Sequence, residues 1–334
     1  MFGKYAILTG VSLIILSFAV ILGCGGKDNP AGSDSGPRIR LKGSYNTPGN
    51  ANAVYVHDNY AYVADGYDGG LQIIDFSDFD SLEVAGYYDT PGNAVDVIVA
   101  GDFAYVADSE AGLLILNISN PLLPGLAGVF DTPDRALGVF LYGNSAYVAD
   151  NDSGLHVIDI TSFAALEIEG SYATANQAFS VFVSGNYVTG NYAYVAADYS
   201  GILAVDIEHS DNLALTGFYN TPGRALDIFI SGHYAYVADH SAGMHVIDIT
   251  NPIDPDLVGS YDTPDQAFSI YALGNYAYVA DYESGLYIID ISNPGNPSAV
   301  SSYNTAGYAR DVFVTDDYIF VADAHEGLLV LEYR

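Results

Sequence analysis

From residue 38 to the C-terminus the chain is a succession of short stretches in which apolar and polar positions alternate loosely. β-Branched and aromatic residues dominate these stretches, and Gly, Asn, Asp and Pro punctuate them roughly every 8–12 residues, the pattern of strands joined by tight turns. One unit shows the plan. Strands are predicted at Ala94–Val99, Phe103–Ala107, Gly112–Ile118 and Leu126–Phe130, with turns at Gly101-Asp102 and around Asn120-Pro121.

The unit recurs. The string AYVAD stands at Ala61–Asp65, Ala104–Asp108, Ala146–Asp150, Ala235–Asp239 and Ala277–Asp281, with variants ending at Asp198 and Asp323. Successive aspartates are 43, 42, 48, 41, 42 and 42 residues apart. The long interval is accounted for by an insertion around Asn186–Gly190 plus one extra Ala, and the first unit carries an extra Gly near Gly66. A repeat of about 42 residues in four antiparallel strands is a propeller blade.

The phase of the repeats decides between an open array and a closed ring. The chain enters on Arg38–Tyr45, which matches the fourth strand of other units such as Asp256–Tyr261, and ends on Gly327–Tyr333, which matches a third strand. The N-terminal strand therefore completes the last blade and leaves no unpaired blade at either end. The predicted fold is all-β: a seven-bladed propeller of four-stranded antiparallel blades over residues 38–334, expected to be monomeric.

The segments Gly154–Thr161, Gly243–Thr250 and Gly285–Ser292 resemble the LVIVD repeat. That repeat occurs in bacterial and archaeal surface proteins of propeller-like architecture. The resemblance covers the chain from Arg38 onward and implies the fold. It implies no common activity.

The first 23 residues read as an address. Lys4 precedes an apolar run from Ala6 to Leu22 ending in Ile21-Leu22-Gly23-Cys24, which resembles the lipobox of bacterial lipoproteins. Residues 1–23 are then a signal peptide, Cys24 carries a diacylglyceryl group, and residues 24–37 are a flexible linker rich in Gly, Asn, Asp and Ser. Cys24 is the only cysteine, so no disulfide framework competes for it. By the same resemblance, Gly25 rather than Asp after the cysteine favours the outer membrane. The expected location is the cell envelope, with the lipid as the membrane contact.

Charge removes one class of function. Asp and Glu number 41 against 9 Lys and Arg, a net charge of −32. A phosphate backbone needs a basic footprint, so nucleic acid is excluded as a partner.

Repetition separates scaffold from candidate site. Ala51, Ala94, Ala136, Ala178, Ala225, Ala267 and Ala309 open each first strand, where a small side chain fits near the axis. The aspartate closing each AYVAD is expected to cap amides in the glycine loop after it, and that of Ile-Ile-Asp-Ile (Asp75 and its equivalents) to do the same at the other end. His156 and His245 share a strand position with Leu and Tyr, which marks an inter-blade packing site. No HxH or HExxH spacing occurs, and Asp150-Asn-Asp152-Ser-Gly154 lacks the bidentate Glu of a calcium loop, so neither metal nor cofactor is expected.

Up-and-down strands place the Thr-Pro-Gly loops and the loops after AYVAD around one mouth of the channel. Two polar positions vary there from blade to blade. One is Asn50, Asn93, Arg135, Gln177, Arg224, Gln266 and Tyr308; the other includes Asp96, Asp227 and Asp311 beside Ser180 and Ser269. Variation on a fixed scaffold is where specificity is written. The favoured function is a non-catalytic binding or scaffold module for a protein, peptide or glycan, with Arg135 and Arg224 foremost. The alternative is an enzyme, or a small-ligand or cation site, at Asp96, Asp227 and Asp311. No nucleophile elbow is present, and blades two, five and seven are expected to hold these acids too far apart for one pair to act together.

Overall fold

The computed structural model describes residues 39–186 and 190–333. The expected signal peptide at 1–23, Cys24 and the expected linker at 24–37 lie outside them. The described residues form seven four-stranded antiparallel sheets, each in strand order one to four. Blade one runs from Ala53 to Tyr88, two from Asp96 to Phe130, three from Gly138 to Tyr172 and four from Ser180 to Tyr219. Blade five runs from Asp227 to Tyr261, six from Ser269 to Tyr303, and seven joins Asp311–Tyr333 to Ile39–Tyr45. First strands of neighbouring blades contact one another and so surround the axis.

The seam closes as the repeat phase predicts. Ile39 pairs with Tyr333 and Tyr45 with Leu328, with one bulge between Leu41 and Gly43. In blade two Phe103–Ala107 lies where predicted, and the other strand bounds shift by one or two residues, to Asp96–Ala100, Leu113–Asn117 and Gly125–Phe130. The insertion in blade four lengthens its first hairpin, where Asn186 pairs with Gly190. The extra residue of blade one is taken up in a single helical turn at Gly66–Gly69.

The core lies between blades rather than within one. Seven hydrophobic clusters each draw on two neighbours. The cluster around Val54, Ile74, Phe320 and Val330 packs blade one on blade seven, so the ring is closed by apolar burial as well as by the seam.

Hydrogen bonds at the mouth join the blades a second time. The invariant alanine of each blade forms a backbone bridge with the residue after the AYVAD aspartate of the blade before, as Ala136 does with Ser109 and Ala309 with Tyr282. Both bonds of the first bridge are 3.1 Å long. All seven alanines are fully buried, which agrees with the small residue expected there. Their partners take left-handed backbone, at φ 44° to 51° for six residues that are not glycine and 69° for Gly66. The bridge holds that conformation against its steric cost. Four residues on from Asp150, Gly154 closes the same loop at φ 86°, where a Cβ would lie 2.3 Å from the Tyr172 carbonyl oxygen.

Candidate functional site

The mouth is built on the AYVAD aspartates. Their Oδ2 atoms accept backbone N–H bonds from Gly49 to Asp65 (2.8 Å), Gly92 to Asp108 (2.7 Å) and Asp134 to Asp150 (2.8 Å). Gly223 to Asp239 (2.7 Å), Asp265 to Asp281 (3.0 Å) and Gly307 to Asp323 (2.8 Å) repeat the contact. The hydroxyls of Thr47 and Thr221 donate to Asp65 and Asp239. The carboxylates therefore tie down the preceding Thr-Pro-Gly loop, not the following glycine loop that local sequence suggested. Burial raises the carboxyl of Asp281 to about 6, and it also raises those of Asp65, Asp108 and Asp323.

Blade four breaks the pattern by a shift of one residue. Ala197 N–H bonds the Gly201 carbonyl as Asp150 N–H bonds that of Gly154, so Ala197 occupies the aspartate's place. No extra alanine is inserted; the aspartate is replaced. Asp198 is the left-handed bridging residue instead, paired with Ala225.

His156 and His245 are buried, as inter-blade packing residues would be. Each also turns Nε2 toward an AYVAD carboxylate, 3.3 Å from Asp150 and 3.1 Å from Asp239. At the far end of the blades the second set of aspartates caps as expected: Asp75, Asp159, Asp206, Asp248 and Asp290 each accept the N–H two residues on.

The outer variable ring lies on the rim of the mouth. Asn50 and Arg135 are exposed, while Asn93, Gln177, Arg224, Gln266 and Tyr308 are half-buried. Arg224 is fixed from three sides. Its Nε donates to Asp198, and its guanidinium carbon lies 5.5 Å from the Phe179 ring centre and 5.7 Å from that of Tyr199. This leaves two terminal amino groups of the fork for a ligand. Burial, then the Arg224 charge, lowers the pKa of nearby His240. Rings continue around the mouth from there: His240 to Phe268 at 5.8 Å, Phe268 to Tyr282 at 5.0 Å, and Tyr282 to Tyr308 at 4.5 Å, the last two pairs stacked. Tyr308 meets His325 edge-on at 5.5 Å. Across the mouth, the Arg135 charge acts on Glu110, whose carboxylate accepts the Tyr67 hydroxyl.

The inner ring is knitted into the channel wall. Asp96 accepts the N–H of Val97 on its own strand and of Val139 on blade three, both at 2.8 Å. Asp227 accepts Ile228 N–H (2.8 Å), Ile270 N–H on blade six (2.9 Å) and the Ser180 hydroxyl of blade four (2.7 Å). Asp311 accepts Val54 N–H on blade one (2.8 Å), the Ser269 hydroxyl, and the N–H of Val312. Three aspartates thus serve the inner strands of blades two and three, five and six, and seven and one. Desolvation is the main cause that raises Asp96 to about 7 and Asp311 to about 6. The charges of Asp311 and Asp227 add to the rise at Asp96, so these acids sense one another across the channel although they stand on separated blades.

Two features of the mouth escaped the sequence reading. Arg310, between the invariant alanine and Asp311, donates from Nη1 to Asn52, which in turn donates to the Ala94 carbonyl; one polar chain crosses blades seven, one and two. Two residues along each inner strand from the second ring, Phe140, Phe182, Phe229, Tyr271, Phe313 and Tyr55 form an aromatic collar, with Ile98 in the seventh place. Adjacent centroids are 4.6, 5.2, 4.5, 5.3 and 4.9 Å apart in that order. Aligning the seven repeats at the alanine column displays both positions. Among the described residues no group of three or more His, Cys, Asp and Glu is placed to hold a metal ion.

Several solved structures share this architecture at very low identity. The computationally designed Ika8 protein matches with a TM-score of 0.65 and 7% identity, over 87% of this chain and 99% of its own. The RRP9 WD40 repeats match at 0.69 and 11%, covering 89% and 97%, and U3-55K at 0.69 and 12%, covering 88% and 98%. At such identities the likeness shows the fold alone. No curated protein matches. Along the sequence itself, the LVIVD repeat is found at residues 48–90, 91–132, 135–174, 175–221, 222–263, 265–305 and 306–332, and the chain belongs to the LVIVD-repeat family.

Proposed function

We propose that this propeller is a lipid-anchored, non-catalytic binding or scaffold module of the cell envelope, holding a protein, peptide or glycan at its mouth. The observation that carries the reading is the fixed posture of Arg224, clamped at Nε by Asp198 and flanked by Phe179 and the exposed Tyr199. A side chain ordered before binding loses little entropy on binding, and Arg and Tyr are the residues that dominate interface energetics. The opposite commitment of Asp96, Asp227 and Asp311 supports the same reading over an enzyme. Their oxygens accept backbone amides, which favours a part in the wall over a part in chemistry. The lipid on Cys24 and the outer-membrane location rest on the lipobox-like sequence.

The test is crosslinking and capture from envelope extract with residues 38–334, beside an Arg135→Ala/Arg224→Ala variant. One species retained by the wild type and lost by the variant is the expected result. Identical recovery by both proteins would remove the mouth from consideration as a macromolecular site. Acylation is read separately, as the mass of the N-terminal peptide released from membrane-extracted full-length protein.

A further inference from the structure

The outermost strands differ between blades in a way that folding does not require. At equivalent positions blades three, five and six carry Ser171, Ser260 and Ser302, where blades one, two and four carry Tyr87, Val129 and Phe218. Val84 and Leu126 add two more exposed apolar side chains on those strands. The loop before the outer strand of blade two adds Leu122 and Leu123, 66% and 77% exposed. It lies against blade one, where a Cβ on Gly86 would be 2.2 Å from the Pro121 carbonyl oxygen. Val84 of blade one and Leu122 of blade two thus meet on the outer rim. Exposed apolar side chains brought together in this way mark an interaction surface.

The patch has an acidic border. Val84, Ala85 and Leu122 line a hollow of about 380 Å³ together with Asp75, Asp78 and Glu83. A bound segment must therefore present apolar groups to the floor and positive charge to three carboxylates. A lysine or arginine satisfies both demands, with its methylene stem on Val84 and Leu122 and its head at the carboxylates. An anionic lipid surface would meet the same three carboxylates and the net charge of −32 with repulsion.

We infer that the outer rim of blades one and two docks a basic amphipathic segment of a partner protein. The occupant is extended or helical, with leucine-like and lysine-like side chains on one face. The site is separate from the mouth and stands whether or not the mouth binds anything.

The chain has no tryptophan, so Tyr87→Trp provides a single fluorescent reporter within the patch. Titration of that protein with a synthetic peptide of alternating leucine and lysine is expected to give a saturable blue shift. Its Kd should weaken by roughly tenfold between 0.05 and 0.5 M salt as the carboxylates are screened. Adding Val84→Asp/Leu122→Asp should abolish the shift, even though it makes the rim more acidic. Asp78→Lys/Glu83→Lys should weaken binding by about tenfold or more, with far-UV circular dichroism unchanged. Binding that is unaltered or tighter in the Val84→Asp/Leu122→Asp protein would mean undirected charge attraction, and the inference fails. It fails equally if anionic or zwitterionic vesicles shift the reporter and the peptide does not.

Discussion

Asp96, Asp227 and Asp311 sit where inner-strand amides face a channel and a carboxylate is costly to bury. Each accepts amides from two blades, so the cost is partly offset by bonds that would otherwise go unmade. Desolvation still prevails, with Asp96 raised to about 7 and Asp311 to about 6. A carboxyl whose folded pKa exceeds its unfolded value of about 3.9 contributes stability that is complete below that value and is lost as pH rises through the folded one. The propeller should therefore be more stable at pH 5 than at pH 8. Asn in place of Asp96 and Asp311 removes the titration and keeps one acceptor oxygen of the two, so one bond at each site is lost. The double variant should show a flatter profile between pH 5 and pH 8. Equilibrium denaturation at the two pH values checks this, and a wild type more stable at pH 8 would contradict it. None of this was legible from the residues alone. The partner of Asp96 is the backbone of Val139, 43 positions away, and no sequence signal reports an unpaired amide. Asp198 misled for a simpler reason: the same letter stands one place later, while the loop's hydrogen bonds count from Ala197.

At the scale of strands the sequence was nearly sufficient. A fourth strand at the start and a missing fourth strand at the end left one pairing, and Ile39–Tyr45 makes it. That strand also contributes Tyr45 to the cluster that packs blade seven on blade one. Its removal exposes the edge at Leu328–Tyr333 and uncovers that interface. Deletion of residues 39–45 should lower Tm by at least about 10 °C or leave the protein insoluble, given that each kcal/mol moves Tm by roughly 2–4 °C in a domain this large. A circular permutant that joins residue 334 to residue 39 through a linker of a few Gly and Ser residues and opens the Gly101-Asp102 turn keeps every pairing, and should retain most of the wild-type Tm. Calorimetry of the two proteins separates loss of the strand from change of the termini. A deletion variant as stable as the wild type would show that apolar packing alone closes the ring. Strand ends were less legible than strand existence. Asp96 rather than Ala94 begins the blade, because Ala94 is bonded to Gly66 of the blade before.

For the whole molecule, charge and topology act in opposite senses. The net charge of −32 on the chain falls almost wholly on the ring and repels itself, and the three channel acids add to it at close range. Raising salt from 0.05 to 0.5 M should increase Tm by roughly 5 °C through screening, while it weakens binding of a basic segment at the rim. Opposite salt effects on stability and binding, measured on one preparation, would distinguish the two. The expectation that nucleic acid is not a partner came directly from this composition. The aromatic collar did not, although its members stand in register in every repeat. Seven separate strands each show one ring or an isoleucine, and only closure brings Phe229 against Phe182 and Tyr271.

The seam also sets a clock. Tyr45 pairs with Leu328, so 283 residues (328 − 45) must be polymerised after one partner before the other exists. At roughly 5–20 residues per second, the first strand waits between about 15 seconds and a minute. For that interval blade seven cannot be finished and no intermediate length of chain can close. Whatever attends the nascent chain has to leave residues 39–45 unclaimed until the last strand arrives, because the first propeller strand to be made is the one that locks the circle.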